Sequence, residues 1–312
     1  MTPEKREEWL QQQKVREDRA SSALADGVAR MADRQGWQAW LQFAARFPKY
    51  SFANQLLVAS QMPNASLVMA AAEWRQVGRY PAAGSTALRI WAPRRVPKVQ
   101  DDEEQERTRM RFVLVPVFDV SQTAGEPLPE QPVPVPPPAG MAPSGMWEEL
   151  CAFAADSGYT VSLAPTGGPD GLTDTARRSI VVAPAASDLA QTLTLAHEIG
   201  HMALHADAEG SAHHRGIREI EAESVAFAVA AAYGLDDASE WHFDYLANWA
   251  AALPGGQDTA AAALKAVHGT AERVLGVTRP LLEHLHESGV GLAAPDLRPV
   301  PPPPYVTAAS AR

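Results

Sequence analysis

The stretch "LTLAHEIGHMALH" (residues 193–205) decides how the second half of the chain is interpreted. It places His197, Glu198 and His201 in the pattern HExxH. On an α-helix, residues four apart lie on one face, about 5–6 Å from each other, so both imidazoles can bind one Zn²⁺. Glu198 can then take a proton from a zinc-coordinated water. The pattern predicts a zinc site on a helix, with Glu198 as its catalytic base.

The residues around this pattern predict two consecutive helices. Apolar spacing favours a first helix from about Asp188 to Ala206, with Asp188 as its capping residue. The stretch "GIREIEAESVAFAVAAAYGL" predicts a second helix that ends at Gly234. His205 lies one turn beyond His201, and we expect it to pack beneath the site rather than bind metal.

A catalytic zinc needs a third protein ligand and an open fourth position. The metzincin pattern requires Gly at 204 and His at 207, where this chain has Leu204 and Asp207, so that arrangement is excluded. In the second helix, Glu219 lies near the apolar face and is the predicted third ligand. Glu223 is predicted to orient a histidine. Glu221 and Glu223 stay open as alternative third ligands.

Other polar residues are weaker candidates for stabilising a transition-state oxyanion, and the sequence does not choose among them. They are His213, His214, Tyr159 and Tyr233.

Proline-rich composition predicts the domain organisation. Residues 127–143 contain eight prolines, which exclude a helix interior and favour an extended linker. We therefore expect an N-terminal domain over 1–126, a linker over 127–145, a second domain with the HExxH pattern over 146–292 and a disordered tail over 293–312.

Cysteine usage and hydropathy indicate the cellular compartment of the protein. Cys151 is the only cysteine, which excludes an internal disulfide and fits a reducing environment. The charged N-terminus does not have the pattern of a signal peptide, and the sequence has no apolar run of about 18 residues. These features predict a cytoplasmic protein without a membrane partner.

Charge is distributed unequally between the two halves. Residues 1–128 carry 18 basic and 15 acidic side chains, whereas the remaining residues carry 9 and 22. A basic region interleaved with aromatic residues favours single-stranded DNA, whose bases stack on aromatic faces. The alternative for Trp74 and Trp91 is a place in the core. The candidate contacts are Lys49, Tyr50, Trp74, Arg75, Arg79, Trp91, Arg94 and Arg95.

The secondary-structure pattern predicts an α+β protein. Helical spacing runs from Leu24 to Phe47 and again from Asn54 to Gln61, and "ALRIWAP" and "RFVLVPVFDV" predict an antiparallel pair of strands. In the second domain "YTVSLA" and "RSIVVAP" predict a small sheet, while "MWEELCAFAADSG" and "EWHFDYLANWAAAL" predict helices.

Residues 147–234 resemble the ImmA/IrrE type of zincin-like metallopeptidase domain. The resemblance lies in "TLAHEIGHMALH" and the following "EIEAESVAFA". It implies Zn²⁺ at His197 and His201, Glu198 as base and a glutamate ligand downstream.

Residues 37–128 resemble the N-terminal single-stranded-DNA-binding domain of ArdC-like antirestriction proteins. The resemblance lies in three motifs in the same order, "YSFANQLLVASQMPNA", "EWRQVGRYPAAGSTALRIWAP" and "VPVFDVSQTAGEPLP". ArdC-like proteins pair this domain with a zincin-like domain. The resemblance implies protection of single-stranded DNA during plasmid or conjugative transfer.

The sequence therefore predicts a DNA-binding antirestriction-like protein with a zinc-dependent metallopeptidase-like domain that acts on a protein or peptide. Two other functions stay open. One is a regulatory metalloprotease that cleaves a repressor-type protein. The other is a non-catalytic DNA-coating protein with a vestigial zinc site.

Overall fold

The computed structural model describes residues 2–96, 109–128, 139–185, 187–206, 212–236, 241, 243 and 259–290. The chain forms two compact units. The first unit contains residues 1–26 and 53–129, and the second contains residues 27–52 and 130–296. Helices and small sheets occur together, so the α+β class predicted from the sequence is confirmed.

The helices, in chain order, are α1 (Pro3–Arg30), α2 (Arg34–Arg46), α3 (Phe52–Gln61), α4 (Ala71–Gln76), α5 (Met146–Asp156), α6 (Asp188–Leu204), α7 (Ala212–Ala232) and α8 (Thr259–Glu287). The strands are β1 (Val68–Met69), β2 (Arg79–Pro81), β3 (Leu88–Val96), β4 (Arg109–Asp119), β5 (Thr123–Gly125), β6 (Thr160–Leu163), β7 (Gly171–Asp174) and β8 (Ser179–Val182).

An antiparallel pair of strands organises the first unit. Strands β3 and β4 are paired from Leu88↔Val117 to Val96↔Arg109, β1 joins the other edge of β4, and β2 pairs with β5. Because side chains alternate between the two faces, Leu88, Ile90 and Ala92 are buried together on one face. The predicted antiparallel strands are present in this unit.

In the second unit, helices α6 and α7 approach each other closely. A Cβ atom at Gly200 would lie 2.7 Å from Cα of Ala222, so only glycine permits this backbone distance. The adjoining sheet has the order β6-β8-β7, with β6 parallel and β7 antiparallel to β8. This arrangement brings the face of α6 that bears the histidines against α7 and leaves β7 at a sheet edge.

The cap of α6 differs from the sequence prediction. Ser187 is the N-cap, and its hydroxyl accepts a hydrogen bond from the backbone N–H of Ala190 at 3.1 Å. Asp188 is instead the first helical residue, and its carboxylate accepts from the N–H of Ala142 at 2.9 Å. The helix thus starts where predicted, but a serine supplies the cap because the aspartate is bonded to a neighbouring segment.

Helix α2 packs in the second unit although it precedes the proline-rich stretch in sequence. Trp37 is fully buried, and its indole N–H donates to the hydroxyl of Ser224 on α7 at 2.8 Å. The sequence-based division placed this helix in a domain over 1–126. The apolar face of α2 instead completes the core around α7, since Trp40 and Phe43 are also buried there.

Several predicted segments lie outside the described residues. They include most of the helix predicted in "EWHFDYLANWAAAL", the central part of the proline-rich stretch and the C-terminal tail. Over the residues that the structure does describe, none of the helices has the length and apolarity needed to span a membrane.

Candidate metal centre and nucleic-acid surface

Helix α6 carries His197 and His201 on one face, one turn apart, and His205 follows as the residue that caps its C-terminal end. The Nε2 atoms of His197 and His201 are 3.0 Å apart, and the Nδ1 atoms of His201 and His205 are also 3.0 Å apart. His197 and His201 are partly exposed, whereas His205 is buried at the end of the helix. The rings of His197 and His201 are therefore accessible to solvent, whereas the ring of His205 lies beneath them.

Glu219 on α7 completes a group of three donor atoms. Its Oε2 atom lies 3.5 Å from Nε2 of His197 and 3.5 Å from Nε2 of His201. A triangle with these sides has a point about 1.9 Å from every corner, close to the 2.0–2.1 Å of zinc–nitrogen bonds. The three side chains thus fit one small divalent cation, and they form the candidate metal cluster among the described residues.

Acidic neighbours control the ionisation of His197. Burial by itself lowers the pKa of an imidazole, but hydrogen bonds to Glu219 and Glu223 outweigh burial and raise the pKa of His197 to about 9. Conversely, hydrogen bonds from His197 and His201 hold the pKa of Glu219 well below its usual range. Glu223 lies 3.1 Å from Nδ1 of His197, which turns Nε2 of that ring toward the cluster.

Glu198 projects from α6 toward strand β7. Its side chain is only 6% exposed, and its Oε2 atom accepts a hydrogen bond of 2.6 Å from the hydroxyl of Thr173. Gly171, on the same strand, leaves the space that the carboxylate occupies, because a Cβ atom there would lie 2.5 Å from Oε1 of Glu198. Strand β7 therefore fixes the orientation of the candidate base. No sequence pattern identified Thr173 or Gly171, because neither lies near HExxH in the chain.

A cleft of about 670 Å³ contains these groups. Its lining includes Gly171, Thr173, His197, Glu198, His201 and Glu219. Tyr159 and Tyr233 are buried and are not among the described residues that line this cleft. Burial raises the pKa of Tyr233. The side chains of His213 and His214 lie outside the described residues, so two of the four weaker candidates are placed away from the cleft.

Glu221 occupies a different environment from the other two glutamates of α7. It is 3% exposed, lies 2.9 Å from Nε2 of His205 and accepts a hydrogen bond from Arg273 of α8. Its carboxylate is not part of the three-donor cluster. Of the three glutamates proposed from sequence as third ligand, Glu219 alone has its carboxylate in that cluster of described residues.

The nucleic-acid candidates are dispersed between the two units. Lys49 and Tyr50 belong to the second unit, where Arg279 donates to the backbone oxygen of Tyr50. The other six belong to the first unit.

Trp74 is fully buried and its indole N–H donates to the backbone oxygen of Phe118 at 2.8 Å. A nucleobase cannot stack on this ring, so its assignment as a DNA contact is corrected to a core residue.

The remaining first-unit candidates differ in accessibility. Arg79 donates to the backbone oxygens of Thr123 and Glu126 and so joins β2 to β5. Trp91 is partly exposed, while its backbone is bonded to the side chain of Asn54. Arg75 and Arg94 are exposed, and the side chain of Arg95 lies outside the described residues.

The end of the β3–β4 pair near Arg94 also carries Arg111 and Phe112, which were not among the predicted contacts. Arg94 lies directly opposite Arg111, and Pro93 lies opposite Phe112, which is 66% exposed. Like charges directly across antiparallel strands repel each other, so this pair by itself does not stabilise the pairing of β3 with β4. The start of "RFVLVPVFDV" is the signal that could have identified Arg111 and Phe112.

The cluster on α6 and α7 lies within a segment that matches a known family. Residues 154–239 match the family model described as IrrE N-terminal-like domain (Peptidase_M78). This segment resembles a metallopeptidase domain. It covers β6 to α7 and less than a third of the chain, and it supports the resemblance that the sequence showed for residues 147–234. No curated protein matches this sequence.

Two solved structures are similar to the chain over most of its length. Both are crystal structures of the antirestriction ArdC protein from plasmid R388. The metal-free form has 17% sequence identity and a TM-score of 0.49, covering 76% of this chain and 86% of that chain. The Mn(II)-bound form has 17% identity and a TM-score of 0.45, covering 80% and 86%.

Proposed function

We propose that this chain is an ArdC-like, DNA-binding antirestriction protein whose second unit carries a zinc-dependent peptidase centre. The observation that carries the catalytic part is the convergence of His197, His201 and Glu219 within one coordination radius. Glu198 lines the same cleft, where Thr173 holds its carboxylate.

The chemistry of the donor set fits a zinc ion. Two neutral imidazoles and one carboxylate, with a fourth position open to the cleft, are typical of hydrolytic zinc sites. A bound divalent cation supplies Lewis acidity, which polarises a carbonyl oxygen and makes water acidic near neutral pH. The match of residues 154–239 to a peptidase family supports peptides as the substrate class.

The protein's own residues would then carry the proton transfers. Glu198 accepts a proton from the attacking water and delivers it to the leaving amine of the cleaved peptide bond. Thr173 donates to one carboxylate oxygen of Glu198 and leaves the other oxygen available. That second oxygen then accepts and releases the proton at a fixed position. His197 and His201 hold the cation, and Glu219 supplies the anionic ligand.

The DNA-binding part rests on the exposed end of the β3–β4 pair. Arg94 and Arg111 supply paired positive charge for phosphates on one face of the strand pair, and Phe112, the next residue of β4, supplies an accessible ring for base stacking on the opposite face. The ArdC-like motifs in the sequence support single-stranded DNA as the ligand, and DNA protection in a mobile element as the role.

A paired metal and activity measurement tests the catalytic proposal. Metal-free protein is titrated with Zn²⁺ and Mn²⁺ by calorimetry, and cleavage of fluorescently labelled casein is followed. We expect one zinc per chain. The variant Glu198→Gln should keep that stoichiometry and lose cleavage. The control Glu272→Gln changes an exposed carboxylate of α8 and should alter neither result. Absence of zinc binding would refute the proposed centre.

The same variant separates the competing functions. A DNA-coating protein with a vestigial site needs no catalytic base, so equal protection of single-stranded DNA by Glu198→Gln and by the unaltered protein favours coating. Loss of biological function in Glu198→Gln, with zinc and DNA binding retained, favours a regulatory protease.

A further inference from the structure

A chain of polar side chains continues from His201 away from the candidate cation position, and its two central members, His205 and Glu221, are buried. Nδ1 of His201 lies 3.0 Å from Nδ1 of His205, and Nε2 of His205 lies 2.9 Å from Oε2 of Glu221. The other oxygen of Glu221 accepts from Arg273, whose Nε is 2.7 Å away. The described residues thus connect His201 of the cluster to the guanidinium group of Arg273 on α8.

The hydrogen-bond roles along this chain determine where each proton lies. A carboxylate only accepts hydrogen bonds, so Nε2 of His205 must be the donor to Glu221. A neutral His205 with its proton on Nε2 has an acceptor at Nδ1. Nδ1 of His201 must then donate to it. The lone pair of His201 is left on Nε2, which is the atom that faces His197 and Glu219.

We propose that His205 is a positioning residue that, together with Glu221 and Arg273, holds His201 in the tautomer able to bind the cation. This inference rests on the proposed metal centre. His205 does not serve as a ligand, because its ring nitrogens lie against His201 and Glu221 and are not among the three donor atoms that converge. The Glu221 carboxylate requires a hydrogen-bond donor. Through His205, this requirement determines the tautomer of His201, which Glu221 itself does not contact.

The two histidines of the cluster are therefore oriented by different devices. Nδ1 of His197 contacts the carboxylate of Glu223 directly at 3.1 Å, while His201 reaches its carboxylate through a second imidazole. Glu223 and Glu221 lie two residues apart on α7, so one helix supplies both carboxylates. Arg273 compensates the charge of Glu221, which is 3% exposed and would be costly to bury alone.

Substitution of His205 tests the relay through metal affinity. His205→Phe keeps a planar ring and removes both nitrogens, and loss of such an outer partner typically weakens metal binding 10–100-fold. His205→Gln offers an amide oxygen to accept from His201 and an amide N–H to donate to Glu221, so most of the affinity should return. Glu272→Gln is the matched control for Glu221→Gln, which should weaken zinc binding through the same chain.

The tautomer of His201 provides a second readout that needs no metal. Long-range ¹H–¹⁵N correlation spectra of the full chain distinguish a ring protonated on Nδ1 from one protonated on Nε2. We expect the Nδ1–H form for His201 in the metal-free protein and a mixture of both forms in His205→Phe. If His205→Phe does not fold, the same spectra of His205→Gln and Glu221→Gln are compared.

The outcomes separate the relay from the metal centre. Weakened zinc binding in His205→Phe, restoration by His205→Gln and an Nδ1–H form of His201 support the relay. Unchanged zinc affinity in His205→Phe, or an Nε2–H form of His201 in the unaltered protein, overturns it. If the unaltered protein binds no zinc but His201 has the Nδ1–H form, the proposed centre fails while the hydrogen-bonded chain stands.

Discussion

The cluster on α6 and α7 differs from the end of the β3–β4 pair near Arg94 in how its charged side chains are held. In the cluster, each histidine has a partner on its far nitrogen, and Glu198 is held by Thr173. At the end of the strands, Arg94 faces another arginine and Phe112 is exposed. Chemistry at one atom requires groups fixed in advance, whereas binding of a flexible polyanion requires accessible groups.

The largest expected effect concerns the support of the cluster by α2. Replacement of Trp37 by alanine removes a fully buried side chain and its bond to Ser224, and truncations of this kind cost about 3–5 kcal/mol. We expect urea unfolding of the second unit at much lower denaturant concentration, together with weaker zinc binding. Trp9→Ala, at a side chain that is 50% exposed, should change neither. Equal effects of both variants would contradict the packing of α2 on α7.

Protons compete with metal for His197 in the cluster, so metal binding there should depend on pH. The exposed Arg94 and Arg111 stay charged and should show no such dependence. Because the pKa of His197 is raised to about 9, a cation must displace a proton at neutral pH. Below that pKa, zinc affinity should rise about tenfold per pH unit, by about a hundredfold between pH 6 and pH 8. Calorimetry in buffers of different ionisation enthalpy counts the released protons. In Glu223→Gln the dependence should weaken; a flat profile in the unaltered protein would refute this prediction.

The same raised pKa predicts the opposite trend for the stability of the metal-free protein. Protonated His197 stabilises the fold fully below pH 6.5, and this contribution is lost as the pH rises through about 9. The thermal midpoint of metal-free protein should therefore fall between pH 7 and pH 9.5, while the zinc-loaded midpoint should not. Parallel scans with and without zinc measure the difference.

Substitution of two glycines in helices compares a position where an added Cβ is crowded with one where it has space. Gly200→Ala should cost about 1–3 kcal/mol, because its Cβ meets the backbone of Ala222 and the helices must separate. At Gly276 on α8, an added Cβ would have no atom of the described residues within 4 Å apart from its own helix, so Gly276→Ala should stabilise the helix by up to about 1 kcal/mol. Urea titration of both variants measures the sign, and destabilisation of equal size would remove the argument from close approach.

The smallest effects are expected at the end of the β3–β4 pair near Arg94. Arg94→Ala combined with Arg111→Ala should weaken binding of a labelled single-stranded oligonucleotide. The salt slope should become shallower by roughly 0.7 for each phosphate that is no longer neutralised. Arg6→Ala removes one exposed charge from α1 and serves as the control. Fluorescence anisotropy at two salt concentrations measures both quantities. If Arg6→Ala had the same effect as the double variant, general charge rather than this surface would explain binding.

Local patterns were sufficient for α6 and for the histidines on its face. Spacing by four residues fixes which side chains share a helix face, so the pair His197 and His201 follows directly from the sequence. The glutamates of α7 were harder, because their distances to the cluster depend on how two helices cross. Glu219 could be proposed from its place near the apolar face, whereas the contact of Glu221 with His205 had no local signal.

Long-range packing explains what the sequence could not supply. The apolar face of α2 predicted burial but not its partner, and that partner lies on α7, far along the chain. Trp74 and Trp91 have the same local character in sequence, yet one is fully buried and the other partly exposed. Strand β7 was absent from the prediction because "GLTD" is too short and polar to stand out.

The packing of α2 on α7 has a consequence for synthesis of the chain. At about 5–20 residues per second, the ribosome makes α7 roughly ten to forty seconds after α2 has been made. During that interval the apolar face of α2, with Trp37, Trp40 and Phe43, has not yet met its final neighbour. The core around α2 therefore cannot close when α2 is made, and its apolar face waits for α7 to be synthesised.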